Sequence, residues 1–422
     1  MKEALSISER IDEDLRRESS RLRDAKRREV KVMLLGQAES GKSTLQKQFQ
    51  LLYSSKSLDV ERMSWVPAVY LNIIKALRII FAELEYEATL QIPDEPLSSP
   101  DTREALDALR MRLLPFVAFE NLLAAELSGG VSVGGGKTGA FVRSGWQSRI
   151  VPPWKFSSES NDKPATPDRT RELTVLVART LAVAVDDIEC LWAHEGLQFY
   201  IRHRKIPLDD SASFFLGNIQ RIAEPEYCPT NDDILHVRLQ TLGVMEHKFP
   251  VSLAGRTYQW KMYDVGGARG QRQTWVPFFD DATAIIFLAP VSAFDQYLEE
   301  DPKVNRVDDS LQLWTSICSN NLLKSANLVL LLNKIDLLRE KLEAGVAVRK
   351  YITSYGDRPN NFETVADYFR GHFLQVHRKK DTTKRPLYVH FTSMLDVKAT
   401  QSIIANVGEA IVRKHISQIG LM

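Results

Sequence analysis

The hydrophobic pattern of the chain changes period twice. Val30-Lys31-Val32-Met33-Leu34-Leu35 is a short β-branched and apolar run that reads as a buried strand. From about residue 60 to 235 the apolar positions recur at helical spacing. The run Val69–Phe81 is the strongest, and 104–126 and 172–203 repeat it, with nothing in the span that alternates as a strand. After 235, short apolar runs return at Arg256–Tyr263, Ala284–Ala289, Leu328–Leu332 and Leu387–Phe391. Helical stretches such as Asp308–Cys318, Phe362–Val376 and Thr400–Gln418 separate them. Strands alternating with helices predict a mostly parallel, doubly wound α/β sheet. Its first strand precedes the helical span and the others follow it. An all-α domain, 60–235, is therefore expected inside an α/β domain made of 30–59 and 236–422.

Two segments stand outside this pattern. Residues 6–29 carry a sparse stripe of Ile7, Ile11, Leu15 and Leu22 among Arg16, Arg17, Arg21, Arg23, Lys26, Arg27 and Arg28. A helix over 1–29 is expected there, docking a partner or lying near anionic lipid, because it has no core of its own. Residues 128–169 hold Gly129-Gly130, Gly134-Gly135-Gly136, Pro152-Pro153 and a polar run, and read as a flexible insertion. Gly134-Gly135-Gly136-Lys137-Thr138 is read as linker, since it lacks a first glycine at the right spacing and a preceding strand.

Composition removes several classes of function. The 422 residues are enough for two or three domains. Lys+Arg number 55 against 54 Asp+Glu, which gives no bulk attraction for nucleic acid. Cys190, Cys228 and Cys318 are too scattered for a metal set or a disulfide framework. No apolar run approaches the roughly 18 residues of a membrane span, and Met1-Lys2-Glu3-Ala4 does not begin a signal peptide.

The chemistry sits where strands end. "GQAESGKST" (36–44) follows the first strand and precedes a helix. Gly36 permits a sharp turn, backbone N–H groups of 38–43 form an anion nest, Lys42 reaches β- and γ-phosphates, and Ser43 is placed for Mg²⁺. Asp264-Val265-Gly266-Gly267 ends the strand Arg256–Tyr263. Asp264 there holds Mg²⁺ through water, and the second glycine offers an N–H to a γ-phosphate. Asn333-Lys334-Ile335-Asp336 follows Leu328–Leu332. A carboxylate at Asp336 accepts from guanine N1–H and its exocyclic amine, a donor pair adenine lacks, with Asn333 at N7 and the Lys334 stem over the base. Arg238-Leu239-Gln240-Thr241 offers a second hydroxyl to the metal at Thr241 and a cation for the transferring phosphoryl group at Arg238.

With those four sites in this order, the chain resembles the α subunits of heterotrimeric G proteins over nearly its whole length. "LWAHEGLQ" (191–198), "DDSASFFL" (209–216), "RIAEPEYCPTNDDIL" (221–235), "TAIIFLAPVSAFD" (283–295) and "NRVDDSLQLWTSIC" (305–318) add to the resemblance. It implies a Ras-like domain interrupted by a helical domain, and a GTPase with bound GTP or GDP and Mg²⁺. Implied nucleotide contacts are Gly36, Glu39, Ser40, Gly41, Lys42, Ser43, Thr44, Leu235, Arg238, Thr241, Asp264, Gly267, Asn333, Lys334, Asp336 and Met394. Arg238 is the implied catalytic residue, and Ser43, Thr241 and Asp264 the metal set. Implied partners are a βγ dimer, a seven-helix receptor, a downstream effector and a regulator of GTPase activity. The implied place is cytoplasmic, peripheral on the inner face of the plasma membrane.

The departures from the family pattern matter as much. The family has a water-positioning glutamine directly after Asp-Val-Gly-Gly, where this chain has Ala268. Ala38 stands where the family usually has glycine, and Gln37 replaces a small residue. Met394 replaces a small residue in the late base-edge stretch Thr392-Ser393-Met394-Leu395. Lys2 stands where N-myristoylation needs glycine, so no lipidation signal is readable. Slow hydrolysis is expected. The rival readings are a GTP-bound adaptor without turnover and, opposed by Asp336, an ATP-using P-loop enzyme.

Overall fold

A computed structural model describes residues 13–18, 20, 28–90, 92, 95–130, 141–143, 145–149, 169–203, 206, 208, 210–253 and 255–418. Its strands in chain order are β1 (Glu29–Leu35), β2 (Phe141–Val142), β3 (Gln240–Thr241), β4 (Val244–Leu253), β5 (Arg256–Val265), β6 (Ala284–Pro290), β7 (Asn327–Asn333) and β8 (Leu387–Thr392). The chain divides into two compact units, Met1–Ser54 with Gly243–Met422, and Ser55–Leu242.

The first unit is built on a sheet of six strands in the order β4-β5-β1-β6-β7-β8. β4 runs antiparallel to β5 and every other pair is parallel. Side chains alternate between the two faces as strand geometry requires. Val30, Val32 and Leu34 pack with Leu45 and Phe49 of the helix Lys42–Tyr53 and with Ile404, Val407 and Ile411 of Val397–Gln418. Met33 and Leu35 face Trp314 and Ile317 of the helix Arg306–Ser319 and Phe369 and Phe373 of Phe362–Lys380. Strands covered on both faces need continuous apolar sequence, which is why β6 and β7 are buried along their whole length. β4 differs. Met245, Phe249 and Val251 point inward between exposed Glu246, Lys248, Pro250 and Ser252. Pro250 is tolerated because β4 lies at the edge of the sheet.

The second unit forms around Val66–Leu90, a helix buried on most of its circumference. It packs with the helices Pro100–Val117, Glu120–Ser128, Arg169–Ala193 and Asp210–Gly217. Contrary to the sequence expectation, Ser55–Leu90 contains an 18-residue window of mean hydropathy 1.5, apolar and long enough to cross a membrane. That window is 78% buried inside the protein, and the central position of a helical bundle accounts for its composition.

Two other expectations are corrected in this unit. The insertion 128–169 contains structure: β2 pairs in parallel with β3, and Trp146–Arg149 is a helical turn. Trp146 is 3% exposed and its ring meets Trp65 edge-on at 4.9 Å. Residues 131–140 and 150–168, with the Gly134–Thr138 run, lie outside the described residues, as does most of 1–29, of which 13–18 are helical and exposed. Residues 236–242, which the sequence pattern groups with the α/β part, cluster with the helical unit because Asn72 and β2 hold them there.

Candidate functional site

β1 delivers the chain to Gly36, where φ is 147° and a Cβ would overlap the Leu288 carbonyl and the Ser40 hydroxyl. Glu39 and Gly41 also take positive φ, 58° and 102°. This succession of left-handed residues turns backbone N–H groups toward one concavity. The helix Lys42–Tyr53 begins directly behind it, with no side-chain cap and no acidic residue in its first turn. Its end is left to an anion. Lys42 folds back over the loop, donating from Nζ to the Gly36 carbonyl at 3.0 Å and the Gln37 carbonyl at 2.7 Å. Burial lowers its pKa to about 8 and that of the buried Lys47 to about 7. An anion held at this loop would favour the charged form of Lys42.

The metal residues in this unit are brought together. Asp264, 2% exposed, ends β5 opposite Leu34 of β1. Its Oδ2 accepts from Ser43 Oγ at 2.7 Å. A hydroxyl and a carboxylate at this separation are hard oxygen donors of the kind Mg²⁺ takes, so the residues present fit that ion. Gly267 follows with no room to spare: a Cβ there would overlap the backbone of Gln37 and Ala38. Ala268, partly exposed, is the N-cap of the 3₁₀ stretch Arg269–Phe278 and brings only a methyl group.

The base end is assembled at the C-terminus of β7. Asn333, 1% exposed, donates from Nδ2 to the Ser40 carbonyl at 2.9 Å and accepts from Thr392 Oγ1 at 3.1 Å. It therefore ties the base loop to the phosphate loop, and at least one of its amide hydrogens is used inside the protein. Lys334 takes the left-handed conformation with φ 65° and caps the helix Ile335–Glu343. Asp336 is exposed, and its Oδ2 accepts from Ser393 Oγ at 2.7 Å. Met394 is 4% exposed, and its carbonyl accepts from Gln48 at 2.9 Å.

Sequence reasoning missed Arg306. It donates to Glu39 at 3.0 Å, to the Ala38 carbonyl at 2.7 Å and to Gln37 at 3.3 Å. Gln37 in turn donates to the Arg306 carbonyl at 2.8 Å and to Ser310 at 2.5 Å. One turn further along the same helix, the buried Asp309 accepts from Arg272 through both oxygens, at 3.0 and 2.5 Å, and from Arg269 at 3.2 Å. One helix thus holds the phosphate loop and the segment after Ala268. The signal was in "NRVDD", but the pairing spans 268 positions and no local pattern announces it.

Arg238, Thr241 and Leu235 belong to the other unit. Leu235 is 3% exposed, packed in that unit's core on the helix Asn231–His236. A capping box between Thr230 and Asp233 starts that helix. Burial pushes the Asp233 carboxyl up, but a forked pair with Arg221 and the Thr230 amide outweigh it and hold it below the usual range. The backbone of Arg238 is gripped by the buried Asn72, which accepts from Arg238 N at 2.9 Å and donates to its carbonyl at 3.2 Å. Asn72 was another omission, a polar residue inside an apolar helix. Thr241 lies in β3, 8% exposed.

The C-terminal ends of β1, β5 and β7 carry loops whose anion nest, strand-end carboxylate and base-reading turn suit a purine nucleotide with its phosphates. The structure thereby falls in the class of guanine nucleotide-binding P-loop proteins with a doubly wound sheet. The family model of the G-protein alpha subunit matches residues 6–411. Among curated proteins, the chain is 32% identical to the guanine nucleotide-binding protein alpha-4 subunit of Mycosarcoma maydis, covering 94% of this chain and 84% of that one. It is 29% identical to the alpha-1 subunit of the same organism, over 100% and 98% of the two chains. The chain belongs to the G-protein alpha subunit family. It is a guanine nucleotide-binding subunit of signal transduction with a Ras-like and a helical domain, from a family of GTPases that work with βγ dimers, receptors and effectors.

Proposed function

We propose that this subunit is a GTP/GDP switch that holds its nucleotide firmly and hydrolyses GTP slowly. Ser43, Thr241 and Asp264 are the residues that would hold Mg²⁺, which would supply neutralising charge to the phosphates. Lys42 and the uncapped helix end hold the phosphate oxygens, Asp336 selects guanine, and Arg238 stabilises charge on the transferring group. Ala268 carries the reading of slow turnover. It follows the glycine packed on the Gln37–Ala38 peptide, and its methyl neither accepts from nor donates to an attacking water. The basic N-terminal helix and a βγ dimer supply the attachment to the inner face of the plasma membrane in this reading. Receptor, effector and regulator act on the switch as in the family. Phosphate release from GTP-loaded protein tests it: a slow but Mg²⁺-dependent release is expected. No measurable release with normal GTP binding would make the chain an adaptor, and ATP binding as tight as GTP binding would overturn the base assignment.

A further inference from the structure

The segment that carries Arg238 and Thr241 is fastened at both ends by residues of its own unit. At one end Asn72 accepts from and donates to the Arg238 backbone. At the other, Phe141 and Val142 pair in parallel with Gln240 and Thr241, and Leu242 N donates to the Val142 carbonyl at 2.9 Å. A two-residue strand has little stability of its own, so something must hold it in place. Val142 is 3% exposed, and four residues on Trp146 is inserted against Trp65 at 4.9 Å and 88°. Trp146 N donates to the Arg143 carbonyl at 3.2 Å, closing the turn between strand and anchor. The insertion therefore places a strand on the switch segment and pins that strand with a buried indole.

We propose that β2 is a positioning element for Thr241, keeping 238–242 in one backbone conformation whether GDP or GTP is bound. The proposal rests on the GTP/GDP reading above and goes beyond it. In GTP switches generally, contacts of the γ-phosphate and its metal order such a segment, and hydrolysis releases it. Here the strand pair supplies backbone bonds that do not depend on the γ-phosphate. Thr241 is then already placed in the GDP form, and the readable change of state is left to the segment after Ala268. Val142 and Trp146 act through Thr241 and are positioning residues, not catalytic ones.

Hydrogen exchange on the full chain decides this, with loading by GDP or GTPγS checked first by bound-nucleotide stoichiometry. In the wild type the amides of 240–242 are expected to be protected in both forms, with rates within about threefold. Val142→Pro, which removes the strand's N–H, and Trp146→Ala, which removes the anchor, are each expected to speed exchange about tenfold in the GDP form. The GTPγS form should change less, because the nucleotide then orders the segment. GDP release in Mg²⁺ should rise with exchange in both variants, and the difference should vanish in EDTA, which a merely structural lesion would not produce. A wild-type difference of about tenfold or more between the two forms overturns the proposal, as does unchanged exchange in a folded Trp146→Ala protein. Should Val142→Pro fail to fold, the wild-type pair and Trp146→Ala still decide. A chain that takes up no GTPγS overturns the switch reading itself; one that takes it up with nucleotide-dependent exchange at 240–242 overturns this proposal alone.

Discussion

The phosphate loop after β1 and the turn after β5 end neighbouring strands, and they meet where Gly267 lies on the Gln37–Ala38 peptide. Their chemistry has diverged. The loop carries positive-φ residues, an uncapped helix end, Lys42 and Ser43, groups of the kind that hold phosphate. It is further braced by Arg306 and by Asn333. The turn carries Asp264 and Gly267 and, at Ala268, a methyl group that neither donates to nor accepts from water. Holding needs backbone conformation and fixed charge. Cutting needs one side chain to order a mobile molecule. A protein can lose the second without disturbing the first.

Changes on the holding side should cost the most. Asp336→Asn removes the acceptor of two guanine hydrogen bonds and is expected to lower GTP affinity about 10³-fold while raising xanthosine triphosphate affinity. Competitive titration of a fluorescent nucleotide measures both, and an unchanged preference would displace Asp336 from the base. Lys42→Met should weaken GTP binding about 10²-fold, the worth of a charge-assisted phosphate contact. An effect below fivefold would leave the holding to the backbone nest alone.

The cutting side should show the opposite split. Asn72→Leu frees the Arg238 backbone and is expected to lower the hydrolysis rate about tenfold with nucleotide affinity kept within a few-fold. Loss of affinity without loss of rate would place Asn72 in binding. The smallest effect is that of pH. Burial lowers the Lys42 pKa to about 8, and bound phosphates favour the charged form. Below pH 8 the proton is already present. Above it, binding must take up a proton, so affinity should fall a few-fold between about pH 7.5 and 9. Calorimetry in two buffers at pH 8.5 would show the uptake, and a flat profile would contradict it.

The same division explains what the sequence made legible. Groups that act through local backbone, Gly36 to Ser43 and Asn333 to Asp336, announce themselves by spacing. The strands β1, β5, β6, β7 and β8 were visible as short apolar runs. β4 was missed because its signal is alternation on an edge, Met245, His247, Phe249 and Val251 against Glu246, Lys248, Pro250 and Ser252. β2 could not be read at all, since a two-residue strand exists only through Trp146 on Trp65 and its partner β3. Arg306 and Asn72 are tertiary in the same sense: their partners are set by packing, not by neighbours in the chain.

One measurement bears most directly on the divergence of the two sides: single-turnover phosphate release in Mg²⁺ for the wild type, Ala268→Gln and Ala268→Gln with Ala38→Gly. Alpha subunits with an arginine in cis turn over at about 10⁻² s⁻¹. Without an oriented water the wild type should be slower by about 10²-fold, roughly 3 kcal/mol. Ala268→Gln should recover part of that loss, and the double change more, because Ala38→Gly takes a methyl out of the loop on whose backbone Gly267 packs. A wild-type rate near 10⁻² s⁻¹ would contradict the account and direct attention to Gln271, whose buried Oε1 has no hydrogen-bond partner among the described residues.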